Sequence, residues 1–583
     1  MISSRFIVVI AFFGSLISCQ VSQESKQADR LVIRLEREPA RLGEIFTATD
    51  FERQVNEYLF LSLADYDPET LVLNPVLAKE LPESREITEG PNAGKAVYEI
   101  EILDEATWPD GSPITGFDFD FTLKVVRLPN VDTRWKGVFE SIIDIQVDDT
   151  SPKKFSIIAD NSYFLTKETI LTAEIHPQYV YDPDQHLSNI PLQDMTGDAS
   201  DKAWSQDSTI LRIGKKISSA EYTKTPSLVG SGPYQLSAWQ TGQFIILDKK
   251  QNWWGEDFPE RSYLEAYPQQ IIFQILSDAT IGITQMKNGE IDVINLTRSP
   301  YTVFEDLKQD ELFSQSFNFF SPSIFRVYYL ILNNEDPRLA DERVRKAIAH
   351  SLNIEQLINQ QEGGYGQNSN SFIHPLKSEY NAQLDPYRYD QALAAKLLSD
   401  AGWKDNNGDG VIDKEIDGSR YEMNLRFFIS GSPLSQSIAT VLKGSVDDLG
   451  INIEIITKSS RLTRSENWRT GDFEIGASAI TQSSALTDPF AFLHSSAITG
   501  GGINYSRLSS AEVDGLCDLI RSTESQEERL QAYSDLQEVL HKKLPFIILY
   551  APLERLVVSK EFEPVLSPKR PGYFANCFEQ VPL

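Results

Sequence analysis

No repeat at solenoid spacing runs through this sequence, and strand-like and helix-like patterns alternate along its whole length. That alternation calls for helices packed on mixed sheets, an α/β fold. At 583 residues the chain is too long for one hydrophobic core, so two or three lobes are expected. Apolar residues at 41% and aromatics at 10% are enough for such cores and too many for a disordered chain.

Leu31 to Leu35 reads as an opening strand. Residues 50–63 carry Phe51, Val55, Tyr58, Leu59 and Leu63 at helical spacing. Val97 to Ile102 alternates like a strand, and Thr115 with Asp118 resembles a capping box opening a helix. Thr241-Gly242 marks a hairpin, and Ala279 to Lys287 reads as a helix stopped by Gly289. Tyr328 to Leu332 is a buried strand. Asp341 caps a helix with Val344, Ala347, Ile348 and Leu352 on one face, and residues 525–543 form an amphipathic helix before a strand at Pro545 to Tyr550. Residues 185–228 are polar and turn-rich without a sustained period, so they read as an insertion or a long surface loop.

The N-terminus carries Arg5, an apolar run from Phe6 to Phe13, and small residues up to Cys19, the plan of a secretory signal. Leu16-Ile17-Ser18-Cys19 resembles a bacterial lipobox. Residues 1–18 are then a lipoprotein signal peptide, Cys19 the acylated residue, and 19–29 a polar tether. The expected location is extracytoplasmic, lipid-anchored to a bacterial membrane. An oxidising compartment permits a disulfide between Cys517 and Cys577, or each is a small buried hydrophobe.

Lys plus Arg number 54 against 84 Asp plus Glu, a net charge of −30. An acidic surface repels phosphate backbones, which argues against nucleic-acid partners. No G-x-S-x-G, C-x-x-C, H-E-x-x-H or Walker A motif is present, so the chain is not read as an enzyme. Asp405, Asn407, Asp409 and Asp413 stand at positions 1, 3, 5 and 9 of an EF-hand-like loop with glycine at 6. Position 12 is Ile416, so the bidentate ligand is missing; the loop is either a structural calcium site or a plain turn. No cofactor is required.

Several segments, in order, resemble the family 5 extracellular solute-binding proteins, the oligopeptide, dipeptide and nickel receptors of ABC importers. They are Trp108-Pro109-Asp110-Gly111-Ser112-Pro113-Ile114-Thr115, Gly230-Ser231-Gly232-Pro233-Tyr234 with Trp253-Trp254-Gly255, and Gly289-Glu290-Ile291-Asp292-Val293. Asn333 with Val344-Arg345-Lys346-Ala347-Ile348, then Leu397 to Trp403, then Asp488-Pro489 and Asn504-Tyr505 complete the series. Most of these positions read as scaffold.

The resemblance implies a two-lobed periplasmic-binding-protein fold (type II, cluster C-like), with an extra inserted subdomain and a hinge. Lobe I is expected at 30–74, 185–319 and 546–583, the inserted subdomain at 75–184, and lobe II at 320–545. Strands near Ile324–Asn333 and Pro545–Tyr550 would form the hinge. By position, the ligand contacts would be Thr47, Ala48, Thr49, Ser483, Ser484, Asp488, Phe490, Asn504 and Tyr505. The implied function is capture of a short peptide by a monomer and delivery to a permease pair with its ATPase. Peptide-binding relatives often place an Asp four residues before the proline of the Asp-Pro segment. Here that position is Ala485, a lost ion pair of roughly 2–5 kcal/mol for a peptide's α-amino group unless Asp488 substitutes. Ala485 keeps open a non-peptide solute such as a nickel chelate or an oligosaccharide. A sensor or chaperone on the same fold is a further alternative.

Overall fold

The computed structural model describes residues 29–581 except 47–48, 134, 161–162 and 197–201. The signal peptide, Cys19, nearly all of the tether, and Thr47 and Ala48 therefore lie outside the described residues.

Two large sheets organise the chain. The first has seven strands, ordered Phe317–Phe320, Leu556–Ser559, Val293–Asn295, Arg30–Leu35, Gln270–Ile275, Phe244–Lys249 and Tyr234–Gln240. Arg30–Leu35 pairs in parallel with both its neighbours. Asp292, fully buried, accepts the Val32 N–H at 2.8 Å, which gives the Gly-Glu-Ile-Asp segment its place beside that strand. The second sheet has six strands, ordered Gly366–Gln367, Phe546–Pro552, Arg326–Leu332, Ile475–Thr481, Asn424–Ile429 and Asn452–Thr457. Its central strand explains the unbroken apolar run Tyr328 to Leu332. Leu330 and Leu332 enter one core, Tyr329 and Ile331 the other, so both faces are covered.

A four-stranded sheet, ordered Ser84–Glu86, Ala96–Glu101, Lys154–Ala159 and Ile142–Val147, sits on the first lobe. It is not an independent unit. Tyr98, Phe119 and Phe155 belong to the same continuous core as Leu31, Phe273 and Phe578.

The chain passes between the large sheets at 321–325 and 553–555, where Ser323 and Leu553 form a bridge. This corrects the lobe boundary expected at 545/546. Phe546–Pro552 pairs with Arg326–Leu332 and Gly366–Gln367, so it belongs to the second lobe, and the crossings flank the two strands expected to form them. Two other expectations change, and one open choice, that of the cysteines, closes on the buried-hydrophobe reading. The helix at 50–63 ends after Asn56, and Tyr58 to Leu63 continue as buried irregular chain that backs the 230–234 turn. Residues 185–228 are not one loop. Asp207 caps a helix, Ser208–Ile217, through bonds from Thr209 N (2.7 Å) and Ile210 N (3.1 Å), and Ile210, Ile213, Gly214 and Ile217 bury one face at helical spacing. The polar residues between them hid that stripe. Cys517 and Cys577 are both free and buried in the cores of different lobes, so no disulfide joins them.

Most motif residues prove to be scaffold. A Cβ on Gly230 would lie 1.9 Å from the Leu59 carbonyl oxygen, and one on Gly232 2.5 Å from that of Tyr58. These glycines let 230–234 lie against 58–61, where Gly232 N–H donates to Leu59 O at 2.8 Å and Leu61 N–H to Ser231 Oγ at 2.7 Å. Arg345 is buried and donates to the carbonyls of Leu544 (2.9 Å), Leu339 (2.7 Å) and Ala340 (2.8 Å). It ties its own helix to the end of Gln526–Lys543.

Candidate ligand-binding site

A cavity of about 700 Å³ lies between the lobes. The first lobe and its four-stranded extension supply Asp50, Glu57, Asp65, Tyr66, Glu168 and Lys569; the second supplies Phe325, Arg326 and the segment 481–485.

Asp50 opens the helix Asp50–Asn56, whose capping box is formed by Thr49 and Glu52. Its carboxylate meets Arg570 at 2.9 Å, Arg326 at 3.3 Å and Arg53 at 3.5 Å. Burial pushes this carboxyl up, but the three guanidinium groups outweigh it and hold the group below its ordinary range. Arg570 is held from behind by the fully buried Glu554 at 3.1 Å. Lys569 lies 3.4 Å from Asp65 and also bonds the Tyr263 hydroxyl. Glu57 and Glu168 differ: neither forms an ion pair among the described residues. Glu57 Oε1 and Glu168 Oε2 are buried with no hydrogen-bond partner there. Burial pushes Glu57 up to about 7, against the opposing pull of Lys569, and raises Glu168 as well.

The segment 481–485 leaves the end of Ile475–Thr481 and is fixed from its far side. Gln482 N–H donates to Phe325 O at 2.9 Å, and its side-chain amide donates to Phe372 O at 2.7 Å and accepts from His374 N at 2.9 Å. Lys377, buried and 3.4 Å from Glu379, donates to Ser483 O at 2.9 Å and to Ala485 O. Ser484 Oγ is buried without a partner among the described residues.

The structure thus brings Ser483 and Ser484 to the cavity wall, with Thr49 at the cap of the helix that presents Asp50. Asp488 does not reach the wall. It is clasped by Arg521 Nε (2.9 Å) and Nη2 (2.5 Å) and caps the Phe490 N–H at 3.0 Å. Phe490 packs under the Arg521 guanidinium at 3.9 Å and stacks on His494 at 4.2 Å. Asn504 is buried and donates to the carbonyls of Leu493, His494 and Leu508, while Tyr505 packs on Trp468 at 5.4 Å. These four brace the second lobe from within. Asp405, Asn407, Asp409 and Asp413 lie far along that lobe in a turn held by its own groups. Asp405 accepts the N–H groups of Gly408 (2.6 Å) and Gly410 (3.0 Å), Asp409 that of Val411 (2.9 Å), and Arg420 pairs with Asp413 at 2.9 Å.

The charged wall of Asp50, Glu57, Asp65, Glu168, Arg326, Lys569 and Arg570 was not picked out from the sequence. These residues come from five separate stretches, and no linear spacing links them.

On the far side of the cavity, Tyr163 and Phe164 of the first lobe reach the second. Arg521 lies over the Tyr163 ring at 5.7 Å and Arg529 over Phe164 at 5.1 Å.

Two α/β lobes, joined by two crossings and closed around one charged cavity, define a two-lobed binding protein. The chain belongs to the bacterial extracellular solute-binding proteins, family 5, whose middle-region model matches residues 73–502. The oligopeptide-binding protein AppA of Bacillus subtilis (strain 168) is 23% identical over 569 residues, 96% of this chain and 94% of that protein. The structure of AppA in complex with a nonapeptide aligns with a TM-score of 0.69 at 21% identity, covering 95% of this chain and 99% of that one. NikA from Brucella suis in complex with Fe(III)-EDTA aligns with a TM-score of 0.74 at 17% identity, covering 95% and 100%. Family and fold are those the sequence resemblance implied. The family is one of solute receptors rather than enzymes.

Proposed function

We propose that this protein is a lipid-anchored extracytoplasmic receptor that encloses a short peptide between its lobes and delivers it to an ABC importer. The observation that carries this reading is the cavity of about 700 Å³ walled by both lobes, within the range of sites that enclose small ligands. Its second-lobe wall is the end of a strand, Ser483 to Ala485, held from behind so that its cavity side is left to the ligand. Extended peptides pair with such segments through main-chain bonds, which read little of the side chains. The kinship with an oligopeptide-binding protein along nearly the whole chain supports the same reading.

The mechanism follows from the two crossings at 321–325 and 553–555. A ligand that touches both lobes favours the closed state by its differential affinity, and the closed state is what a permease recognises. Acylated Cys19 would hold the receptor at the membrane, with one or more acyl chains in the bilayer.

Thermal unfolding of a soluble form starting at Gln20, screened against peptide pools, metal chelates and oligosaccharides, tests the ligand class. A ligand at 100 times its Kd adds about 2.7 kcal/mol to stability. Stabilisation by peptides is the expected result; stabilisation by a non-peptide alone overturns it. Loss of membrane association in a Cys19→Ser variant tests the anchor.

A further inference from the structure

A second cavity, of about 370 Å³, lies within the second lobe and shares no lining residue with the one between the lobes. It opens where a sheet comes apart. Gly366 and Gln367 pair with Pro552 and Ala551 in antiparallel register. Carried on, that register would set Ser369, Asn370 and Ser371 opposite Leu549, Ile548 and Ile547. No main-chain hydrogen bond joins the two stretches among the described residues, and both line the cavity instead. Residues 546–549 therefore have a strand, Arg326–Leu332, on one side only. Alternate N–H and C=O groups of such an edge turn outward and call for partners.

The rest of the wall is apolar and aromatic. Ala349, Leu352, Leu540 and Leu544 are buried there. Tyr387 is fixed by its hydroxyl, which donates to His541 O at 2.6 Å, and its ring lies 4.7 Å from that of His541. Burial, with Lys346 adding to it, holds the His541 imidazole below its ordinary value, so the ring is neutral at pH 7. Glu355 and Arg388, the two formally charged residues of the lining, are exposed. We infer that this cavity is a second ligand site, one that takes a neutral, amide-bearing molecule with a planar ring, such as a blocked aromatic amino acid, bound as a short strand between 369–371 and 547–549. Its amide groups replace the pairing that the two stretches do not give each other, and its ring packs against Tyr387 and His541. The volume is in the range of sites that enclose small ligands. A charged group brought inside finds no buried counter-charge. The site is independent of whatever ligand the lobes enclose between them.

N-acetylphenylalanine amide is the probe, with anionic N-acetylphenylalanine as its charged counterpart. A molecule of about fifteen non-hydrogen atoms at ordinary efficiency binds with a Kd on the order of 1 mM. The soluble receptor, isotope-labelled in its histidine rings, reports the two cavities separately by NMR: His541 lines this one, while His374 donates its N–H to Gln482 on the wall of the other. A His541→Gln variant assigns the signal. The expected result is a saturable shift at His541, with the acid binding tenfold or more weakly. Ala349→Leu, whose larger side chain fills the cavity, should weaken the amide tenfold or more. A crystal soaked with the amide needs no variant and should show the molecule between 369–371 and 547–549. A shift at His374 alone, no shift at His541 up to ten times the expected Kd, equal binding of amide and acid, or a soaked crystal with no probe in the cavity overturns the inference.

Discussion

Arg326 Nη2, on the second lobe, lies 3.3 Å from Asp50 Oδ2, on the first. The same guanidinium donates from Nε and Nη2 to Thr481 Oγ1, both at 3.1 Å. One side chain therefore links the carboxylate of one lobe to the start of the segment with which the other lobe lines the cavity.

Arg326→Gln removes that link while leaving Asp50 paired with Arg570. The closed state loses an ion pair of partly exposed groups, about 1 kcal/mol after allowance for solvent screening. Ligand Kd should rise about fivefold. Small-angle scattering should show a larger open fraction at subsaturating ligand. An unchanged Kd would show that the pair is present in both states.

Lys377 and Glu379 form a buried pair that also organises 481–485 and 487, since Glu379 accepts the Thr487 N–H and hydroxyl at 3.0 Å each. Lys377→Met leaves a buried carboxylate without its cation and should cost about 3–5 kcal/mol in denaturant unfolding. The double variant with Glu379→Gln should recover part of that loss while ligand binding stays impaired, because the carbonyls of Ser483 and Ala485 remain without their donor.

Glu57 makes stability depend on pH in a stated direction. Its folded value is about 7 against an ordinary 4.5, so between those values the folded chain holds a proton the unfolded chain has released. Its contribution to stability is complete at pH 4 and lost as pH rises toward 8. Glu57→Gln should match the parent at pH 4 and exceed it by about 1–3 kcal/mol at pH 8. Urea unfolding at the two pH values checks this; equal gains at both would place the effect elsewhere.

Gly230→Ala drives a methyl carbon into the Leu59 carbonyl, 1.9 Å away, and backbone cannot yield as a side chain can. The expected loss is about 2–4 kcal/mol, read as a fall in Tm of several degrees. Gly242→Ala meets no atom within 4 Å, so only its positive φ of 72° is strained, and it should cost less.

Cys517 and Cys577 are free, and burial pushes the first thiol up to about 12 and the second well above its ordinary value. Reductant should leave the Tm unchanged, and iodoacetamide should modify neither cysteine until the chain unfolds. Rapid labelling of the folded protein would contradict the assignment.

The fold was legible because its signals are local. The helix Ala279–Lys287, the capping box of Thr115 and Asp118 and the strand Arg326–Leu332 each announce themselves within ten residues. The helix Ser208–Ile217 escaped because it is only ten residues long and its stripe at 210, 213, 214 and 217 sits inside a polar, turn-rich stretch. The site was harder for a different reason. Ser483 and Ser484 could be placed by position along the chain, but Asp488 and Asn504 from the same stretch turn inward to Arg521 and to backbone carbonyls. Asp50, Glu168 and Lys569 acquire meaning only when three distant segments meet, and no spacing encodes that meeting.

The core that runs without a break from Leu31 and Phe273 into Tyr98 and Phe155 has a kinetic consequence. Asp50 and Asp65 on one part and Glu168 on the other line the cavity from one continuous core, whose buried residues include none of the second lobe. On the proposed mechanism, an arriving ligand would meet this half of the wall complete before closure. Capture would then be a two-stage event: the first lobe selects at encounter, and the Ser483–Ala485 strand end arrives later to set how long the ligand stays.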